Sequence, residues 1–398
     1  MLSQSLTATK SNSIEGRLAA LVREMKPSGI RKFFDLAAGQ EGIISLGVGE
    51  PDFVTPQPVR DACMIALEQG KTSYTSNAGM PELRSAIADY VHTSWNVTYD
   101  SSEELLVTVG SSEAIDLALR ALIEPGDEIL VPVPSYISYS PIAAIGRGIP
   151  VEVQTDASNN FKLTADALRS AITPKSKVLI VSYPNNPTGS IMTYEDWLPI
   201  AQVAEEHDLV VLSDEIYAEL TYGSKHVSLA AVPGMKERTL IINGFSKAFA
   251  MTGWRVGYAC GPQPLIAAML KIHQYTIMCA PILGQIAALE SLRIGLSEKD
   301  RMVESYNVRR QAIVEGFRRI GLPCHVPYGS FYAFPSIAGT GLTSEQFAER
   351  LLLEQKVVTV PGNVFGGGGE GFIRCSYATS LTKIEEALVR IQRFLQSL

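Results

Sequence analysis

Four short segments concentrate residue types that could do chemistry together. Tyr183-Pro184-Asn185-Asn186-Pro187-Thr188-Gly189 places polar groups in a turn stiffened by prolines. Ser213-Asp214-Glu215-Ile216-Tyr217 puts a carboxylate directly after the apolar run Leu209–Leu212. Asn243-Gly244-Phe245-Ser246-Lys247 ends on a lysine and is followed closely by Gly253-Trp254-Arg255-Val256-Gly257. Gly110-Ser111-Ser112-Glu113 lies between a strand-like run and a helical pattern. A turn of that kind at a helix N-terminus offers free backbone N–H groups and the positive end of the helix dipole to an anion. Ser246 and Arg255 can add a hydroxyl and a guanidinium to such a site. Burial or a neighbouring cation would lower the pKa of Lys247 and make its amine nucleophilic. Asp214, set in an apolar run, needs a cationic partner.

A phosphate site, an amine nucleophile and a lone carboxylate fit pyridoxal phosphate: the lysine forms a Schiff base and the acid keeps the pyridine nitrogen protonated. Each residue also has an ordinary reading when taken alone. Lys247 is then a surface lysine, Asp214 a helix cap and Asn186 a turn former. Tyr74, Tyr136 and Tyr217 are core or rim aromatics, and Arg374 is a surface ion-pair partner. Their co-occurrence in order along one chain argues for the chemical reading.

Elements must bring these segments together. From about residue 104, short β-branched runs alternate with helical stretches. The strand candidates are Leu105–Val109, Glu128–Val131, Val151–Val153, Val178–Val181, Val210–Leu212, Thr239–Ile242 and Val256–Ala259. Helical spacing fits Glu113–Ile123, Ala165–Ala171 and Glu195–Glu206 between them, and Val59–Gln69 and Glu82–Val91 before them. This alternation predicts an α/β fold with a mostly parallel, doubly wound sheet. Ligands of such sheets bind in the crevice at the carboxyl ends of the strands, where the four segments would converge.

Helical patterns follow at Leu265–Met278, Ile282–Leu292 and Lys299–Ile320. A mixed portion then holds strands at Phe331–Phe334, Val357–Val360 and Phe372–Ser376, with helices at Glu345–Leu353 and Ile384–Leu395. At the N-terminus, Leu18, Leu21, Val22 and Met25, then Ile30, Phe33, Phe34 and Ala37, have helical spacing. The expected organisation is an N-terminal helical segment over 1–44, a large cofactor-binding domain over 45–290 and a smaller α+β domain over 291–398.

Composition narrows the function. Hydrophobic residues at 46 % and charged residues at 19 % are globular values. Acids exceed bases by 41 to 34, and no basic run is longer than Arg309-Arg310 or Arg318-Arg319, which argues against a nucleic-acid partner. Five scattered cysteines and five scattered histidines give no zinc spacing and no disulfide framework. Met1–Asn12 lacks the apolar stretch of a secretory signal. No run approaches the roughly 18 apolar residues of a membrane span. The expectation is a reduced, cytoplasmic protein without metal.

Several motif matches are set aside. Gly366, Gly368 and Gly371 satisfy Gly-x-Gly-x-x-Gly, but a strand-like stretch follows where a dinucleotide site needs a helix. The reading there is a flexible turn. Gly70-Lys71-Thr72 lacks the first glycine of a P-loop, because position 65 is isoleucine. Ser380 of Ser380-Leu381-Thr382-Lys383 reads as a helix N-cap. Asn96-Val97-Thr98 is a glycosylation sequon that a cytoplasmic chain does not use.

In combination, Asn-Pro-Thr-Gly, Ser-Asp-Glu-x-Tyr and Ser-Lys-x-x-x-x-x-Gly-x-Arg make the chain resemble a fold-type I pyridoxal-phosphate aminotransferase of class I/II. The resemblance runs from Leu46-Gly47-Val48-Gly49-Glu50-Pro51-Asp52 to Arg374. Ser28–Phe33 and Tyr74-Thr75-x-Asn77-Ala78-Gly79 look like the bacterial and archaeal aromatic aminotransferases and the N-acetyl-diaminopimelate aminotransferase of bacilli.

The resemblance implies an aspartate-aminotransferase-like fold and a role for each matching residue. Lys247 would be the Schiff-base lysine and proton shuttle. Asp214 would hold the pyridine nitrogen, with Tyr217 and Asn186 at the ring hydroxyl and Tyr136 stacked on the ring. Ser111, Ser112, Ser246 and Arg255 would bind the phosphate. Tyr74 would reach the phosphate of a neighbouring subunit, which implies a homodimer. Arg374 would bind the substrate α-carboxylate, with Gly47 contributing backbone. The implied reaction is ping-pong transamination between an L-amino acid and 2-oxoglutarate. Aspartate-using members of this branch often carry lysine where this chain has Ser112, which favours aromatic donors. N-acetyl-diaminopimelate or aspartate transamination and carbon–sulfur β-elimination are the alternatives, since fold does not fix reaction. A non-catalytic binding protein that kept the fold is disfavoured by the intact Lys247, Asp214 and Arg374.

Overall fold

A computed structural model describes residues 14–27, 29, 30, 33 and 41–398. The expected helical positions Phe34 and Ala37 lie outside the described residues, as do 1–13. The strands are β1 (Ile44–Ser45), β2 (Leu105–Thr108), β3 (Glu128–Val133), β4 (Ile149–Gln154), β5 (Ser176–Ser182), β6 (Val210–Asp214), β7 (Thr239–Gly244), β8 (Gly257–Cys260), β9 (Tyr332–Ala333), β10 (Val357–Val358), β11 (Val360–Pro361) and β12 (Ile373–Ser376).

Seven of them form one sheet in the order β2-β8-β7-β6-β5-β3-β4. Strand β8 runs antiparallel to β2 and β7, and every other pairing is parallel. The fold is therefore α/β, built on a mixed and mostly parallel sheet. Side-chain alternation explains why helices cover both faces. Val178 and Ile180 of β5 point with Leu212, Leu240 and Ile242 into a core shared with the helix Gly110–Leu122. Leu179, Val181 and Val211 point the other way, onto Trp197 and Ile200 of the helix Tyr194–Glu206. A strand buried on both sides has no polar face to spare, and this accounts for the unbroken apolar runs.

Register aligns the strand ends. Ser182 of β5 pairs with Asp214 of β6, and Asp214 pairs with Ile242 of β7. The polar segments after β5, β6 and β7 thus leave the sheet at one edge, as expected at the carboxyl ends of parallel strands.

A second core gathers residues from Leu46 and from the helices Leu296–Arg319, Ser344–Gln355 and Leu381–Gln396. It carries the antiparallel sheet β11-β12-β9 and the parallel pair β1–β10. The expected single strand Val357–Val360 is two strands. Val357 and Val358 pair with β1, whereas Val360 pairs with Arg374 on β12. Two partners on different sides require a break at Thr359, and composition alone does not show it.

The N-terminal pattern also differs from expectation. The first α-helix covers Ala20–Glu24, and Leu18, Leu21 and Val22 are exposed rather than packed, whereas Gly29, Ile30 and Phe33 are helical as the second pattern expects and Phe33 is buried. Periodicity reveals an apolar face but not a surface to receive it. The short helix Tyr139–Ile145 gave no sequence signal. Ser380 does cap the last helix, its hydroxyl accepting from Lys383 N. The glycine-rich turn leads into β12 and opens no helix; Gly366 and Gly368 adopt φ of +100° and +77°, and Gly367 N donates to Glu152 on β4 at 3.2 Å. Among the described residues, no helix is long and apolar enough to cross a membrane.

Candidate active site

The strand ends open into a cavity of about 600 Å³, lined by residues of both cores. Asp214 enters it as the last residue of β6. Its carboxylate accepts from the Tyr139 hydroxyl at 2.7 Å and from Ile216 N at 3.2 Å. It makes no ion pair among the described residues. Burial is the main influence on it and, against the opposing Tyr139 hydrogen bond, raises its pKa from 3.8 to about 6. A buried carboxylate with hydrogen bonds but no counter-charge is an incomplete pair, and the missing half is a cation.

Lys247 lies beyond the end of β7, and its Nζ donates to Gly49 O at 2.7 Å. Burial lowers its pKa from 10.5 to about 8; Glu50 works against this shift, and Arg374 and Arg255 add to it. An amine so placed is part neutral near physiological pH and can act as nucleophile or base.

The phosphate-type cradle forms where the helix Gly110–Leu122 begins. Gly110 has φ +74°, and a Cβ there would lie 2.4 Å from Arg255 Nη2. A Cβ on Gly257 would lie 2.5 Å from Ser111 N. Two glycines thus let the turn, β8 and the guanidinium close up on one another. The Ser111 hydroxyl donates to Asn243 O at 3.0 Å, which leaves the turn's backbone N–H groups as its anion donors. Ser112 and Ser246 line the same cavity.

Arg374 reaches in from β12 and is 3 % exposed. Its Nη1 donates to Asn186 Oδ1 at 2.9 Å and its Nη2 to Gly47 O at 2.8 Å. Because the guanidinium has only donors, the Asn186 oxygen faces it and Nδ2 is left to donate elsewhere. The Tyr332 and Phe365 rings lie 4.4 and 5.1 Å from the guanidinium carbon. Arg374 Nε is buried with no hydrogen-bond partner. With five N–H donors and two engaged, the fork has capacity for a bidentate carboxylate.

The structure thus brings Lys247, Asp214, Tyr217, Asn186, Tyr136, Ser111, Ser112, Ser246, Arg255, Arg374 and Gly47 to one cavity wall. Tyr74 is apart from it and is 80 % exposed. Among the lining residues that escaped the sequence reading are Tyr139, Gly49, Glu50 and Tyr332, whose hydroxyl is 3.0 Å from that of Tyr217. The motif around Gly47–Asp52 was itself visible and could have suggested Gly49 and Glu50. Nothing in the sequence marked the two tyrosines.

A carboxylate lacking its cation, a depressed lysine, and a glycine-lined cradle beside a guanidinium match the pyridine nitrogen, aldehyde and phosphate of pyridoxal phosphate. Residues 41–391 match the family model of aminotransferase class I and II. The chain belongs to that family. This aminotransferase is 55 % identical over 378 residues to the putative aminotransferase YugH of Bacillus subtilis, covering 95 % of this chain and 98 % of that one. It is 45 % identical to an aspartate aminotransferase of Pyrococcus abyssi, over 94 % of this chain and 96 % of the relative. The crystal structure of an aromatic aminotransferase from Pyrococcus horikoshii superposes with a TM-score of 0.88 at 40 % identity, over 92 % of this chain and 99 % of that one. Pyridoxal phosphate is the cofactor of the family, and the residues around the cavity fit it.

Proposed function

We propose that this aminotransferase transfers the amino group of aromatic L-amino acids to 2-oxoglutarate by a ping-pong cycle. The observation that carries the donor preference is the distribution of charge in the cavity. Among the described residues its lining cations are Lys247, Arg255 and Arg374, and each has a task at the amine, phosphate or α-carboxylate position. The remaining wall includes Tyr136, Ile30, Ile115, Ile216 and Tyr332, the neutral Ser112 and the carboxylate Glu50. Among the described residues no further cation lines it to meet the second carboxylate of aspartate, whereas an aromatic side chain meets apolar surface.

When bound, pyridoxal phosphate supplies an electron sink for the pair left by removal of the α-proton. The chain's own residues do the rest. The N–H groups of the Gly110–Ser112 turn, with Ser246 and Arg255, hold the phosphate. Asp214 holds a proton on the pyridine nitrogen, and the fixed Tyr139 hydroxyl holds Asp214. Tyr217 and the Asn186 amide would serve the ring hydroxyl, and Tyr136 would pack against the ring. Lys247 would carry the covalent attachment and, once free, would take the α-proton and deliver it to the cofactor carbon bound to the amino nitrogen. Arg374 orients the α-carboxylate of donor and acceptor alike. The working unit is a homodimer in the reducing cytoplasm, in which Tyr74 serves the neighbouring phosphate; the five cysteines are free thiols.

A panel of amino donors with 2-oxoglutarate tests this reading. Phenylalanine and tyrosine are expected to exceed aspartate in kcat/KM by about tenfold or more, since an unpaired carboxylate against an apolar wall costs at least ~1.4 kcal/mol. Double-reciprocal plots should be parallel. A higher kcat/KM for aspartate than for phenylalanine overturns the aromatic assignment. Pyruvate release from cysteine conjugates without an acceptor would instead mark a lyase.

A further inference from the structure

One carboxylate–imidazole pair outside the cavity touches the phosphate-binding turn from behind. Glu113 is in the first turn of the helix Gly110–Leu122. One of its oxygens, Oε2, folds back to accept from the backbone N–H of Val109, the residue before the helix. The other, Oε1, lies 2.7 Å from Nδ1 of His273, which sits on the separate helix Gln263–Thr276. Glu113 is acceptor-only as a carboxylate, so His273 Nδ1 is the donor. The His273 side chain is fully buried and that of Glu113 is 11 % exposed.

A carboxylate at this helix N-terminus presents a physical problem. The same N–H groups and the same dipole end that would hold a phosphate also attract Glu113. If its side chain turned toward the cavity it would compete with the phosphate and repel it. Val109 N–H and His273 Nδ1–H hold both oxygens on the far side. They remove the competitor, satisfy an amide at the head of the helix, and tie the turn to a second helix. His273 is itself fixed beside the bend that follows: its carbonyl accepts from Ile277 and Met278 N, and Met278 O accepts from Asn77 Nδ2.

We infer that Glu113 and His273 are positioning residues for the phosphate-binding turn, keeping its N–H groups aimed at the cofactor phosphate and free of an internal anion. The inference rests on the assignment of that turn and Arg255 to the phosphate.

The test compares two ligands that differ only in the phosphate. Cofactor is exchanged out of the purified holoenzyme by dialysis, and rebinding of pyridoxal phosphate and of pyridoxal is titrated by visible absorbance. His273→Leu and Glu113→Gln should each weaken pyridoxal phosphate by about tenfold while moving pyridoxal less than about twofold, because hydrogen bonds to a charged group are at stake. In the double variant Glu113→Gln/His273→Gln the amide oxygen at position 113 accepts from Val109 N–H while its amide nitrogen donates to the amide oxygen at position 273. This variant should recover most of the loss. Equal weakening of both ligands, or no weakening in either single variant, overturns the inference. Arg255→Gln separates it from its premise. If that variant collapses the preference for pyridoxal phosphate while the Glu113 and His273 variants do not, only the positioning role fails. If Arg255→Gln leaves the preference intact, the phosphate assignment fails and the inference with it.

Discussion

Asp214 is the residue at which function most plainly opposes stability. In the unfolded chain its carboxyl ionises near 3.8, and in the folded, cofactor-free protein near 6. Between those values the unfolded chain releases a proton that the folded one keeps, so folding stability falls as pH rises through this window and stays low above it. The shift corresponds to a loss on the order of 3 kcal/mol. Lys247, lowered from 10.5 to about 8, acts in the opposite sense: it costs stability as pH falls through the folded value. Asp214→Asn removes the carboxylate and with it the pH-dependent penalty. Urea denaturation of the cofactor-free proteins should show the variant gaining about 2–3 kcal/mol on wild type between pH 4 and pH 7. Its kcat should fall by about 10²-fold or more, because no charge then holds the pyridine nitrogen protonated. A flat stability difference across that range would place Asp214 in a solvated environment. The same residue shows what sequence can reveal. An acid ending an apolar run is conspicuous, and Lys247 and Arg374 stand out once the motifs are read together. Tyr139, which fixes Asp214 from 75 positions away, is one tyrosine among 15 on a seven-residue helix with no periodic signal.

At the scale of elements, the strand–helix alternation was legible because strands buried on both faces are continuously apolar and short. The small sheets were less so. Their strands are two to four residues long, too short for a period, and their partners lie far along the chain. The helix Gly110–Leu122 joins both themes, since its core face is legible while the geometry of its first turn is not. Gly110 carries that geometry. With φ +74° and Arg255 Nη2 only 2.4 Å from where a Cβ would stand, alanine meets backbone strain and displaces the guanidinium. Gly110→Ala should therefore lower stability by about 1–2 kcal/mol and weaken pyridoxal phosphate by roughly tenfold through the moved Arg255. Thermal melts and cofactor titration measure the two effects separately. Gly70→Ala is the control. It has φ +71° and nothing within 4 Å, so it should lose stability alone.

At the scale of the whole molecule, the proposed homodimer would bury exposed apolar side chains. Met64, Ile65 and Leu67 are exposed on the helix Gln57–Glu68, Tyr275 is exposed at the end of the helix Gln263–Thr276, and Tyr74, Ile277 and Met278 are exposed on two loops joined by the Asn77–Met278 hydrogen bond. Tyr74 lies outside its own cavity, as the proposed service to a neighbouring chain's phosphate requires. Complementation decides this. Lys247→Ala removes the amine from one site, and Tyr74→Ala removes the hydroxyl from the site it serves. If Tyr74 acts across an interface, a mixed dimer of the two variants has one site with both lesions and one with neither. Random mixing then makes half of the dimers mixed, and about one quarter of all sites intact. Refolding the two inactive or weakened variants together should restore about a quarter of wild-type activity, with the cofactor affinity of the active fraction equal to wild type. If Tyr74 serves its own chain, every mixed site carries a lesion. Activity would then stay at the average of the two variants, and the cross-subunit assignment would fall while the catalytic assignment of Lys247 stood.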